Sequence, residues 1–144
     1  MGGEFLLLLI TSTALVVLTV SVHALMLGGL RRRLNHRLGH KSYENHQLRE
    51  ALVISATVLT LSLAHLIEIG IWATGYVVLA AVPSPSDAFY FSITTYTTVG
   101  AVGVDIAPGF RSLAGFESLL GPMMIAWSTA FLVEFVTRMR RPAA

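Results

Sequence analysis

Apolar residues run almost unbroken over residues 5–30, 51–79 and 113–136, with polar or turn-forming residues between the runs. Each run exceeds the roughly 18 to 20 apolar residues needed to cross a hydrocarbon core of about 30 Å, so each is expected to be a transmembrane helix. A further apolar segment, residues 88–97, is too short to cross at about 1.5 Å per residue. It follows the helix-stopping run Val82-Pro83-Ser84-Pro85-Ser86, and Ser86 or Asp87 is placed to cap it. Gly100 and Gly103 come directly after it. A short buried helix, irregular backbone and a return to the same side describe a re-entrant loop. Such backbone is tolerated at membrane depth only inside protein or a wet cavity, so another chain or copy must surround it.

Composition agrees with this pattern: the 144 residues are 54% hydrophobic and only 12% charged, against about a quarter charged in soluble domains. The chain has no cysteine, which excludes disulfides, iron–sulfur clusters and thiolate chemistry. Charge reports topology. Six of the ten basic residues, Arg31, Arg32, Arg33, Arg37, Lys41 and Arg49, lie between the first two spans, and Arg138, Arg140 and Arg141 follow the last. The positive-inside rule puts both clusters in the cytoplasm and leaves only Arg111 outside. Nucleic-acid binding is not expected from this distribution. The expected protein is a multi-pass resident of the inner (plasma) membrane, N-terminus outside and C-terminus cytoplasmic. Residues 1–4 lack the basic region of a signal peptide, so the first span is expected to remain uncleaved. In the connector, leucines 30, 34 and 38 stand at helical spacing and suggest a helix at the membrane surface.

The segment Tyr96-Thr97-Thr98-Val99-Gly100-Ala101-Val102-Gly103 carries the most specific chemistry. The C-terminal end of a short helix bears about half a negative charge and favours a cation. If the chain then turns outwards, successive backbone carbonyls can replace an ion's hydration shell. The alternating backbone handedness this requires is easiest at glycine, as at Gly100 and Gly103. Thr98 offers a hydroxyl and a carbonyl at the inner mouth, and Val99 is expected to pack its side chain on the short helix.

The run from Asp87 to Gly100 resembles the pore helix and filter of the potassium-channel pore family, the bacterial two-span pore-loop ion channels. Residues 113–117 and 127–131 resemble a subgroup with an additional N-terminal span. The resemblance implies an all-α membrane protein with three transmembrane helices, a re-entrant pore helix and a filter loop, assembled as a homotetramer in the lipid bilayer. It divides the chain into an added helix (1–30), a basic cytoplasmic connector (31–50), a pore unit (51–137) and a cytoplasmic tail (138–144). The implied function is cation conduction through a filter of Thr97, Thr98, Val99, Gly100, Ala101, Val102 and Gly103, with K+ held at Thr98, Val99 and Gly100. No other cofactor, no ligand and no enzymatic step is implied. The family's usual continuation is Tyr-Gly-Asp, and here the braced tyrosine is missing. Either Val102 takes the second glycine's left-handed position, at about 1–2 kcal/mol per chain, or one residue is inserted and Gly103 takes it, with Asp105 as the following aspartate. Weak selectivity between K+ and Na+ is therefore the alternative to K+ preference.

Among the remaining polar residues, His65 and Glu68 share one face of the second span. Intramembrane ionisable groups are functional candidates. Bracing the pore helix or filter, a mutually satisfied pair, and a proton-sensing or metal site are all open to them. Ser128 and Thr129 are candidates to line the inner cavity. His23 and Trp72, Tyr76 and Trp127 suggest packing or interface roles, and Gly121-Pro122 a fixed angle for the last span. Glu134 and Arg138 are spaced for an ion pair. The first two spans carry no periodic arginines, so no voltage sensor is expected. The different-class alternative is a non-conducting scaffold subunit that keeps a channel-like fold.

Overall fold

A computed structural model describes residues 2–38 and 46–140 of the chain. They form four helices, α1 (Gly2–Leu38), α2 (His46–Val78), α3 (Pro85–Tyr96) and α4 (Arg111–Arg140), with a single 3-10 turn at Pro108–Phe110 and no strand among the described residues. Three stretches are long and apolar enough to cross a bilayer: Phe5–Asn35, Gln47–Val78 and Pro108–Met139. The fourth helix, α3, has 12 residues and is too short to span. The protein is an all-α, multi-pass membrane protein.

The polar connector is largely helical. α1 continues to Leu38 and α2 starts at His46, because no proline or glycine interrupts residues 30–38. Leu30 and Leu34 do not lie on a membrane surface. They extend the α1 stripe from Leu27 and are buried against Leu61 of α2 and Phe135 of α4. His40 lies outside the described residues, and with it the face expected to be shared by His36 and His40. Residues 141–144 lie outside them too.

At its other end α2 stops in a left-handed turn. Ala80 takes φ 53°, and the Ala81 N–H bonds back to the Tyr76 carbonyl at 2.9 Å, the bonding of a helix C-cap. The next helix then begins earlier than the polar pattern suggests. Ser84, not Ser86 or Asp87, is the N-cap, and its hydroxyl accepts from the Asp87 N–H. The physical reason is Pro85, which suits the first helical position because its absent N–H would be unpaired there.

α3 packs against α2 and α4, and α1 lies against the same two helices. The part of the core around α3 is aromatic. Trp72, Tyr76 and Tyr96 are essentially fully buried, so Trp72 and Tyr76 are packing residues and not interfacial ones. Tyr76 meets Phe91 of α3 edge-on, centroids 5.1 Å apart, the favoured aromatic geometry. A backbone bond from the Ala107 N–H to the Ala81 carbonyl, 3.1 Å, ties the loop before α4 to the turn after α2.

Candidate functional site

The segment after α3 starts as a helix cap and leaves as an irregular loop. The Thr97 hydroxyl donates to the Ile93 carbonyl at 2.7 Å. The Thr98 N–H reaches Thr95 O and the Gly100 N–H reaches Thr94 O, each at 3.0 Å. Positive φ falls at Thr98 (62°), Gly100 (83°) and Gly103 (77°). Val102 is not left-handed and Gly103 is. Thr98 is a branched residue in left-handed geometry, which costs about 1–2 kcal/mol. The side chains of Val99 and Val102 are 77% and 83% exposed. Val99 therefore does not pack on α3 within the subunit, because the left-handed turn at Thr98 swings it outwards.

Two buried carboxylates hold α3 from behind. Glu68 of α2 accepts from His23 of α1, Nδ1 to Oε1 2.6 Å, and from the Tyr96 hydroxyl at the last turn of α3. His65 Nδ1 lies 3.2 Å from Glu68 Oε2 and 3.0 Å from the Tyr96 hydroxyl oxygen. Behind His23, Ser128 Oγ of α4 stands 3.4 Å from Nε2. One cluster thus draws on all four helices. The second centres on Glu117 of α4. The Tyr76 hydroxyl donates to its Oε2 at 2.5 Å, and Ser92 Oγ of α3 lies 2.5 Å from its Oε1 and 2.9 Å from the Ile69 carbonyl. Glu68 and Glu117 are both fully buried. Every buried side-chain polar atom among the described residues has a partner, as a low-dielectric interior demands.

α4 reaches the end of α3 at one glycine. A Cβ placed on Gly121 would lie 1.9 Å from the Tyr96 carbonyl oxygen, so only glycine permits this approach. Pro122 follows inside the helix. A family model described as ion channel matches residues 64–138, just over half of the chain and the whole stretch from His65 through the end of the last span. The chain belongs to this family of pore-loop ion channels. No curated protein and no solved structure matches it.

Within the channel subunit the sequence-derived candidates separate. His65 and Glu68 are brought together at the end of α3, through Tyr96. Thr97 through Gly103 form the loop itself. Asp105 is exposed, two residues beyond Gly103. Ser128 is buried under His23 inside the subunit and does not face an open cavity, because its hydroxyl partners the imidazole. Thr129, one position on, is exposed and bonds only its own helix, to the Ile125 carbonyl. Glu134 pairs with Arg138 as its spacing suggests and also meets Arg31 of α1 at 3.9 Å.

Four channel residues carry more of the site than their sequence context indicates: Tyr96, Glu117, Ser92 and His23. A signal existed for two of them. Tyr96 adjoins Thr97-Thr98-Val99-Gly100, and Glu117 is a lone acid in an apolar span. Ser92 and His23 carry no such mark, since a single hydroxyl or imidazole on a helix is usually a packing residue.

Proposed function

We propose that the chain is the subunit of a homotetrameric cation channel that conducts K+ through the variant filter of residues 97–103. The observation that carries this is the placement of three left-handed residues, Thr98, Gly100 and Gly103, immediately beyond the C-terminal end of a short helix packed between two spans. Four such helix ends around one axis would present partial negative charge to a cation. The carbonyls of Thr98, Val99 and Gly100 would supply the inner ion sites. The exposed apolar residues of α4, among them Leu119, Met123 and Val133, suit contact with neighbouring copies or lipid. No covalent step is involved.

Without the family's tyrosine at position 101, the outer filter has a small side chain there and an exposed valine beside it. We therefore assign the pore weaker discrimination against Na+ than a filter with the aromatic brace. The basic ends of α1 and α4, joined at Glu134, would face the cytoplasm of a plasma membrane under the positive-inside rule, and the filter loop would face outside.

A non-conducting scaffold is the second reading. It draws on the bonding of the left-handed Thr98 N–H to Thr95 O, which is also how an ordinary helix cap closes. Separate K+ and Na+ flux assays on the purified protein in liposomes decide between them, with Gly100→Ala as control. K+ flux lost in the variant supports the channel, and flux of both ions supports the weakly selective form. No flux from a stable tetramer overturns conduction.

A further inference from the structure

Glu68 has more donors than a structural brace requires, and their chemistry is that of a metal site. His23 and His65 come from different helices, and both turn the same ring nitrogen, Nδ1, to this one carboxylate. The ligand atoms of His23, His65 and Glu68 lie within 4.8 Å of one another. The ring centroids of the two histidines are 5.4 Å apart and tilted by 32°. The Tyr96 hydroxyl, bonded to Glu68 and 3.0 Å from His65 Nδ1, stands at the same point.

We infer that His23, His65 and Glu68, with the Tyr96 hydroxyl as fourth donor, form an intramembrane site for a divalent transition-metal ion of the Zn2+ type. Two imidazoles and one carboxylate match the nitrogen and oxygen donors of four-coordinate zinc. Mg2+ and Ca2+ prefer sets of oxygen ligands, which two imidazoles do not supply. Ligation through Nδ1 places the proton of a neutral imidazole on Nε2. In His23 that nitrogen faces Ser128 Oγ at 3.4 Å, an acceptor that fixes ring and tautomer as outer partners of metal-bound histidines do. A divalent ion beside one carboxylate leaves positive charge in an apolar interior. The Tyr96 hydroxyl oxygen, bonded to Glu68, is the further polar group beside that charge. The bound ion would join α1, α2 and the end of α3 at one point.

The test uses the full chain, purified with a histidine-free tag, in which His36, His40 and His46 are replaced by asparagine to remove the other imidazoles. After stripping with chelator, Zn2+ is titrated against a chromophoric competitor, with monodispersity and thermal unfolding followed in parallel. One Zn2+ per chain is expected. His65→Gln should weaken it by more than the about 10–100-fold typical of outer-shell changes. No stoichiometric binding by the folded parent overturns the site, as does binding that His65→Gln and His23→Gln leave unaltered. Should those variants unfold, X-ray absorption on the Zn2+-loaded parent still decides. Scattering from two imidazoles is expected, and a shell of oxygen alone overturns the assignment.

Discussion

Gly121 of α4 sits against the Tyr96 carbonyl at the end of α3 so tightly that even a methyl group would come within 1.9 Å of that oxygen. Without a hydrophobic drive between helices inside lipid, close backbone approach at small residues is a main source of helix association. This contact also fixes where α3 ends, and so where the proposed filter loop begins.

Gly121→Ala should therefore lower stability by at least about 1–3 kcal/mol, the usual range for overpacking, and abolish flux. Gly115→Ala in the same helix is the control, since a Cβ there meets nothing within 4 Å. Thermal unfolding of both variants in detergent checks this. Equal behaviour of the two would show that the α3–α4 contact is not limiting.

The hydroxyl of Tyr96 links the filter mouth to Glu68. Tyr96→Phe keeps the ring in its buried place and removes only that link. A stability loss of about 1–3 kcal/mol is expected, the cost of stripping a partner from a buried charged group. We expect the larger effect on selectivity, with the K+/Na+ flux ratio falling as the mouth loosens. A ratio equal to that of the parent would place the control of selectivity elsewhere.

Glu117 offers a cleaner comparison, because one substitution can keep its hydrogen bonds and another cannot. Glu117→Gln retains a group able to pair with the Tyr76 hydroxyl and Ser92. Glu117→Leu leaves the Tyr76 hydroxyl unpaired in an apolar interior, at about 1–3 kcal/mol, while Ser92 keeps only its bond to the Ile69 carbonyl. The leucine variant should unfold at clearly lower temperature than the glutamine variant. Were the order reversed, the polar cluster would be less stabilising than a packed side chain, an outcome known for buried charged groups.

The three spans and the short helix between them were legible because membrane physics demands long apolar runs, and Thr-Thr-Val-Gly marked the loop. The pairing of His65 with Glu68 was legible from spacing within one helix. What links different helices was not. His23 meets Glu68 across 45 residues of chain and Ser128 meets His23 across 105, and no local pattern encodes that. The same limit misplaced Ser128, whose hydroxyl is turned inwards by a histidine on another helix. A helix beyond Leu30 was legible from its leucines, but its continuity with the first span was obscured by charge, since three consecutive arginines look like a connector while the neighbouring leucines keep the buried stripe.

Orientation can be read with single cysteines, because the chain has none. Val102→Cys, at a side chain 83% exposed, should react with an impermeant reagent added outside whole cells. Arg31→Cys, at the opposite end of the subunit beside Glu134, should react only after the membrane is opened. The reverse pattern would invert the proposed topology.

Two non-glycine residues, Ala80 and Thr98, are held at φ 53° and 62°, and comparing them separates strain in a turn from strain at a filter. Left-handed geometry costs an ordinary residue about 1–2 kcal/mol, which glycine does not bear. Ala80 only ends α2, where glycine is the usual residue, so Ala80→Gly should stabilise by about 1 kcal/mol and leave flux unchanged. Thr98→Gly relieves the same strain but removes the hydroxyl and frees the backbone at the mouth of the filter. Stability should hold or rise in this variant too, while the K+/Na+ flux ratio falls. Strain kept where glycine would be easier is a mark of function only if its relief costs activity. Should Thr98→Gly conduct with the parent's selectivity, the left-handed threonine would be no more than the end of a helix.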